Sequence, residues 1–346
     1  MIFVANHRDF AKATIEVEAP GLLTTIQDGG RKGYQQYGMP VAGAMDEESY
    51  QLGQALVGNQ ENLGALECTL LPPTLRLKGA AIVAFTGADM KPTINGNPVP
   101  LYIPLLCHDG DVISGTLATR GVRMYIAFGG GLDAPLINGS VATHTKAHIG
   151  GFHGRALHAG DYLPIKTFGR EAVHWCTYQP AVHSLCNKGL SERCTETRLA
   201  PIRVVLASQA GRFTENGIRA FVSDAYRLTD RCDRMGFRLE GPPIEHIDGA
   251  DIISDGTVLG SIQVPSDGQP IILMADRQTT GGYTKIATVI TPDLTRLSQL
   301  SPGESINFEI VSIDQAQDFY RAYWKDWQSC LSLARDQSAY VFDMKR

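Results

Sequence analysis

Three stretches in the second half of the chain crowd hydrogen-bonding side chains against the ends of apolar runs. CDRMGFRLEG carries Asp233, Arg234, Arg238 and Glu240; GSIQVPSDGQP carries Gln263, Ser266, Asp267 and Gln269; ADRQTTGGYTK carries Arg277, Gln278, Thr279, Thr280, Tyr283 and Lys285. Glutamine amides and hydroxyls both donate and accept, which suits a neutral planar amide or ureido group, whereas a guanidinium grips a carboxylate through two parallel hydrogen bonds. The ligand that fits this set best is a small amide bearing an acid. Attack on a resonance-stabilised amide requires fixed donors where negative charge develops. Arg234, Gln263, Arg277 and Tyr283 are therefore the candidate catalytic residues, with Gln269, Thr279, Thr280 and Lys285 as candidate substrate contacts.

A second polar cluster lies near the amino terminus, in TTIQDGGRKGYQQYGMPVAGAMD, residues 24–46. Gln27, Asp28, Arg31, Tyr34 and Asp46 bracket five glycines there. Such a chain turns tightly while presenting amide, carboxylate and guanidinium groups to one cavity, so these five residues join the candidate substrate contacts. The histidines of THTKAHIGGFHGRALH (His144, His148, His153, His158) are a poorer prospect for metal, because Gly150 and Gly151 break the helix that would align the first two. No metal site is expected. GGGL at 129–132 follows the strand-like MYIAF without a succeeding lysine or long helix, and reads as a tight turn. Phosphate-loop, nucleophile-elbow and dinucleotide-binding signatures are absent.

These groups need strands to hold them. Ile271–Met274 is a continuous apolar run leading into Asp276, the pattern of a buried strand with its polar groups at the end. From Ile15 to about Ile165, and again from IRVVLAS at 202–208 onward, short apolar runs alternate with Gly, Pro, Asn or Asp. Helical writing appears in MDEESYQLGQALVGN, where Asp46 is placed to cap and Gly58 and Asn59 to stop the helix, and near the carboxyl terminus. In that last segment Ala316, Phe319, Tyr320, Tyr323, Trp324, Trp327 and Leu331 recur at helical spacing and read as core. With 346 residues, two domains are expected, with a junction in the weakly periodic stretch between about Lys166 and Leu199, giving domains 14–198 and 199–346. The three second-half stretches are expected to converge at one barrel end.

Composition narrows the class of partner. Net charge is −5 with no long basic run, which excludes the electrostatic footprint of a nucleic-acid binder. No apolar run has membrane-spanning length, and the apolar run before Asn6 is too short for a secretory core, so a cytoplasmic protein is expected. Seven scattered cysteines without a C-x-x-C pair read as reduced thiols.

The ordered motifs QDGGRKGYQQYGMPVAGAMD, GNQENLGALE, GSVATH, GGFHGRALHAGD, DRMGFRL, GSIQVPSDGQP and QTTGGYTK together resemble the biotin-dependent carboxyltransferase family also called allophanate hydrolase subunit 2. Its members include the C-type subunit of bacterial 5-oxoprolinase, a kinase-inhibitor antagonist, and part of urea carboxylase. The resemblance covers roughly residues 14–310 and implies a mainly β protein of two cyclophilin-like β-barrel domains with few short helices and a C-terminal helix. By analogy with the first member it implies an ATP-dependent 5-oxoprolinase complex with subunits A and B, the B-type chain serving as direct companion. The reaction so implied opens the lactam 5-oxoproline to L-glutamate. ATP, with magnesium, is then expected on a partner or in a site shared with one. No covalently attached biotin is expected, since Met90 and Lys91 sit in a turn-like GADMKPTING without a second flanking methionine. Cys232 stands where the family often has serine, which removes one hydroxyl donor. Transfer of a carboxyl group to urea or a related amide, and sequestration of a kinase inhibitor, are the alternative readings.

Overall fold

Punctuated apolar runs become strands almost throughout. The structure, a computed structural model, describes residues 3–4, 13–59, 62–167, 174–177 and 200–343. The chain is mainly β, with four α-helices among the described residues: α1 (Glu47–Leu56), α2 (Glu215–Ser223), α3 (Thr291–Ser298) and α4 (Ile313–Ser338). Two compact units emerge, but neither is a single run of chain. The first comprises Met1–Gly30, Asp46–Glu196 and Gln328–Arg346; the second comprises Arg31–Met45 and Thr197–Trp327. The expected boundary at 198 and 199 lies outside the described residues.

The exchange of segments has a physical basis inside each unit. Met45 packs in the hydrophobic cluster of the second unit with Phe213, Phe221 and Phe237. The carboxyl-terminal strand Tyr340–Asp343 pairs in parallel with both His174–Thr177 and Leu105–Cys107, which gives the end of the chain to the first unit.

In the first unit an eight-stranded and a six-stranded sheet share one core, to which Ile15 and Leu75 contribute from one sheet and Ile26, Phe85 and Phe128 from the other. Asp46 caps α1 as its sequence position suggests: its Oδ1 accepts from Ser49 N at 3.0 Å and its Oδ2 from Ser49 Oγ at 2.6 Å.

The sheet of the second unit runs, in spatial order, Ser305–Ile306, Tyr226–Leu228, Gly236–Glu240, Ile271–Leu273, Ser261–Gln263, Lys285–Val289, Ile202–Leu206 and Phe308–Ile310. Its first and last members are neighbours in sequence, separated only by Asn307. One short stretch thus pairs with both edges and closes the sheet into a barrel, which removes the free strand edges. A two-stranded ribbon, Asp251–Gly256 with Thr280–Tyr283, stands apart from that barrel.

The aromatic stripe of α4 departs from expectation. Trp327 and Leu331 are buried, but Phe319 is 38%, Tyr320 42% and Trp324 48% exposed. The buried side chains Trp327, Leu331 and Ala334 follow one i, i+4, i+7 line, and Tyr320 and Trp324 continue that line toward the helix's amino end but stay exposed. Tyr320 stacks on Trp324 with centroids 6.1 Å apart, and Phe319 lies under the Arg203 guanidinium at 4.2 Å.

Candidate active site

Each candidate group is placed by strand register. Gly236 pairs with Leu273, and Gln263 with both Ile271 and Lys285. Because Ile271 opens its strand and Leu273 closes it, Arg234 and Arg277 fall at one end of that strand and Gln263 at the other. The expected convergence at one barrel end is therefore corrected: antiparallel pairing splits the candidates into two groups. A chain of contacts through the ribbon links them, since Thr257 Oγ1 donates to Gln278 O and Thr257 N to Thr279 O.

The first group is built on Arg234, Asp276 and Arg277. Asp276 leaves the buried strand and takes Arg234 in a two-pronged ion pair, Nε to Oδ2 at 3.0 Å and Nη2 to Oδ1 at 2.9 Å. Arg234 Nη2 also donates to Gly43 O at 2.6 Å, so the Arg31–Met45 segment fastens this side chain from its own backbone. Arg277, only 8% exposed, has a different fate. Its neighbour Asp276 is committed to Arg234, and no carboxylate pairs with Arg277 among the described residues. Its Nε is buried without an acceptor and its Nη1 makes only a long contact, 3.4 Å, to Met274 O. Burial lowers the affinity of this guanidinium for its proton. A buried cation lacking its counter-ion is a receptor for an anion, because a carboxylate arriving there restores both charge balance and hydrogen bonds.

The second group surrounds Gln263. Its Nε2 reaches Tyr283 O at 3.4 Å and lies where a Cβ on Gly281 would stand, so the absence of a side chain at 281 is what leaves room for the amide. Lys285 Nζ is held by Asp255 Oδ2 at 2.5 Å and Gly256 O at 2.7 Å, which ties the ribbon to the barrel. The Lys285 ammonium keeps the Asp255 carboxyl below its ordinary range. Gln209 completes the clamp, with Nε2 on Asp255 Oδ2 at 3.0 Å and Oε1 accepting from Lys285 N at 2.8 Å. Tyr283 is 42% exposed and Thr280 is also exposed, while Thr279 is half-buried. Gln269 is occupied at both ends of its amide by Gly241, as acceptor from N at 2.9 Å and donor to O at 3.1 Å. Its side chain shapes a turn.

The amino-terminal candidates divide between units. Arg31 and Tyr34 belong to the second, where Arg31 is buried, its N donating to Val41 O at 2.7 Å, and Tyr34 packs near Tyr37 with centroids 6.5 Å apart. Gln27, Asp28 and Asp46 belong to the first. Asp28 accepts from Gly30 N, Ser140 Oγ and Val141 N at 2.7–2.8 Å, and so pins one loop to another. Gln27 donates to Thr25 Oγ1 and Thr143 O, leaving its buried Oε1 without a donor.

Sequence reasoning missed Glu67 and Tyr125. They face each other across paired strands, and Tyr125 OH donates to Glu67 Oε2 at 2.7 Å while accepting from Asp46 N at 2.8 Å. Burial, and then the adjacent Glu67 charge, drive the Tyr125 phenol well above its ordinary value. The signal was a single acid inside the apolar run GALECTLL. Asp276, Asp255, Gln209 and Gly281 were likewise not singled out for these roles.

Comparison with known proteins places this geometry in context. The family described as "Carboxyltransferase domain, subdomain A and B" matches residues 37–310. The C-type subunit of Escherichia coli 5-oxoprolinase is 33% identical over 302 residues, 87% of this chain and 93% of that protein. The Haemophilus influenzae protein of the same name is 34% identical over 303 residues, 86% of this chain and 91% of its own. The crystal structure of K. lactis urea amidolyase superposes with a TM-score of 0.79 at 28% identity, over 92% of this chain but only 20% of that much longer one.

Proposed function

This chain belongs to the carboxyltransferase domain family, subdomains A and B, and from that premise we propose that it is the C-type subunit of an ATP-dependent 5-oxoprolinase. The proposed reaction opens 5-oxoproline to L-glutamate in company with A- and B-type subunits. The observation that carries this reading is Arg277: a buried guanidinium without a carboxylate partner among the described residues suits a substrate that brings its own. The substrate carboxylate binds Arg277, and the Arg234–Asp276 pair holds the adjoining wall rigid. Gln263 and Tyr283 stand at the other end of the three-residue strand Ile271–Leu273, so this reading requires the lactam to reach from Arg277 across that strand for its oxygen to meet them as charge develops during ring opening.

ATP supplies the activation of that oxygen by phosphorylation. This sequence has no glycine-rich phosphate loop with a lysine and a following helix, so the nucleotide is assigned to a partner or a shared site. The chain's own task is to bind, orient and stabilise charge.

Purified chain mixed with its companion subunits should release glutamate from 5-oxoproline only when ATP is present. The similarity to K. lactis urea amidolyase favours a second reading, carboxyl transfer to urea or a related amide, in which the same donors face a ureido oxygen. Absence of glutamate release alongside transfer from carboxybiotin would establish that reading instead.

A further inference from the structure

We propose that the second unit carries a separate binding site for an acidic α-amino acid, in a cavity on the outward face of its barrel wall. The cavity has a volume of about 650 Å3, and none of the candidate catalytic residues lines it. Strand alternation creates it. Along Gly236–Glu240 the buried Phe237 and Leu239 point to the core, so Arg238 and Glu240 face outward, and Arg227 stands opposite Glu240 on the neighbouring strand. Arg231 and Asp230 join them from the turn between those strands, while Pro270 and Pro302 contribute apolar surface.

The charge inventory specifies the ligand. Arg227 faces Glu240 at 3.6 Å, and Asp267 accepts from Gln269 N at 3.0 Å, so these acids and this base are partly satisfied. Among the described residues, the side chains of Arg231, Arg238 and Asp230 make no ion pair. Two uncommitted guanidinium groups and one uncommitted carboxylate call for two anionic groups and one cation on a single small molecule. An α-amino acid with a second carboxylate meets that pattern. A simple dicarboxylate leaves Asp230 facing like charge, and inorganic phosphate leaves most of the volume to water. No aromatic ring lines the cavity, which removes the stacking platform a nucleotide base uses.

Isothermal titration calorimetry on the full chain, with L-glutamate as the probe at low salt, tests the proposal. Saturable binding is expected, weakened at least tenfold by Arg231→Ala or Arg238→Ala. Asp230→Asn should weaken L-glutamate but strengthen glutarate, which lacks the ammonium and no longer meets a like charge. Arg277→Ala should leave an intact binding event, which separates this site from the proposed reaction site. The proposal is overturned by an absence of saturable heat, by equal binding of glutarate, by equal binding of inorganic phosphate, or by loss of L-glutamate binding in Arg277→Ala but not in Arg238→Ala.

Discussion

Replacing Arg277 by methionine should make the protein more stable and less able to bind 5-oxoproline, the proposed substrate. The side chain is 8% exposed, its Nε has no acceptor, and its sequence neighbour Asp276 is spent on Arg234. Leaving a buried donor unsatisfied costs about 1–3 kcal/mol, and methionine removes that donor while keeping much of the packed volume. In a unit of this size each kcal/mol moves the midpoint by roughly 2–4 °C, so the Arg277→Met melting temperature should rise by several degrees. A charge-assisted hydrogen bond to a carboxylate contributes about 1.5–3 kcal/mol, so affinity for 5-oxoproline should fall roughly 10- to 150-fold. Thermal unfolding followed by circular dichroism reads the first change, and calorimetric or kinetic titration of 5-oxoproline reads the second. A lower melting temperature in Arg277→Met, with undiminished affinity, would show that the guanidinium is a structural prop and refute the reasoning.

Gly281→Ala should act through Gln263, because the added methyl occupies the place of its Nε2. We expect KM for 5-oxoproline to rise about tenfold while the melting temperature stays within ~1 °C, since only a side-chain end must move. Asp276→Asn breaks a buried two-pronged pair and should destabilise the protein by about 3–5 kcal/mol in urea unfolding, far more than any surface ion pair such as Arg321 with Asp318. His246 offers a pH signature: burial holds it below its ordinary value of 6.5, and its Nε2 lies 3.1 Å from Val264 O and 2.9 Å from Thr284 Oγ1. As pH falls, the unfolded chain takes up this proton first, so the contribution is full above 6.5 and is lost as pH drops from there toward the lower folded value. Melting temperatures across pH 5–8, compared with His246→Gln, should show that loss only in the unmodified chain.

Much of the fold was legible because it rests on local signals. The α1 cap was readable from Asp46 and its following acids, and Ile271–Leu273 from an unbroken apolar run. What escaped were facts of register and chain return. Which end of a strand holds Gln263 depends on its pairing with Ile271 and Lys285, partners that no local pattern specifies. Residues 31–45 are broken by three glycines and a proline and show no strand or helix period, so nothing local announces that Met45 enters the second core or that Gly43 O receives Arg234. The aromatic residues of α4 showed the same limit: helical spacing gives a face, but the number of partners available to cover it is a tertiary fact.

The Arg277 assignment is tested most directly by substrate discrimination in the assembled enzyme. Activity on 5-oxoproline is compared with activity on 2-pyrrolidinone, the same lactam without its carboxylate, in the unmodified protein and in Arg277→Met. If Arg277 receives that carboxylate, the ratio of kcat/KM values should favour 5-oxoproline by roughly 10- to 150-fold in the unmodified protein and fall close to unity in the variant. A ratio that survives the substitution unchanged would place the carboxylate elsewhere and remove the observation on which the proposed function rests.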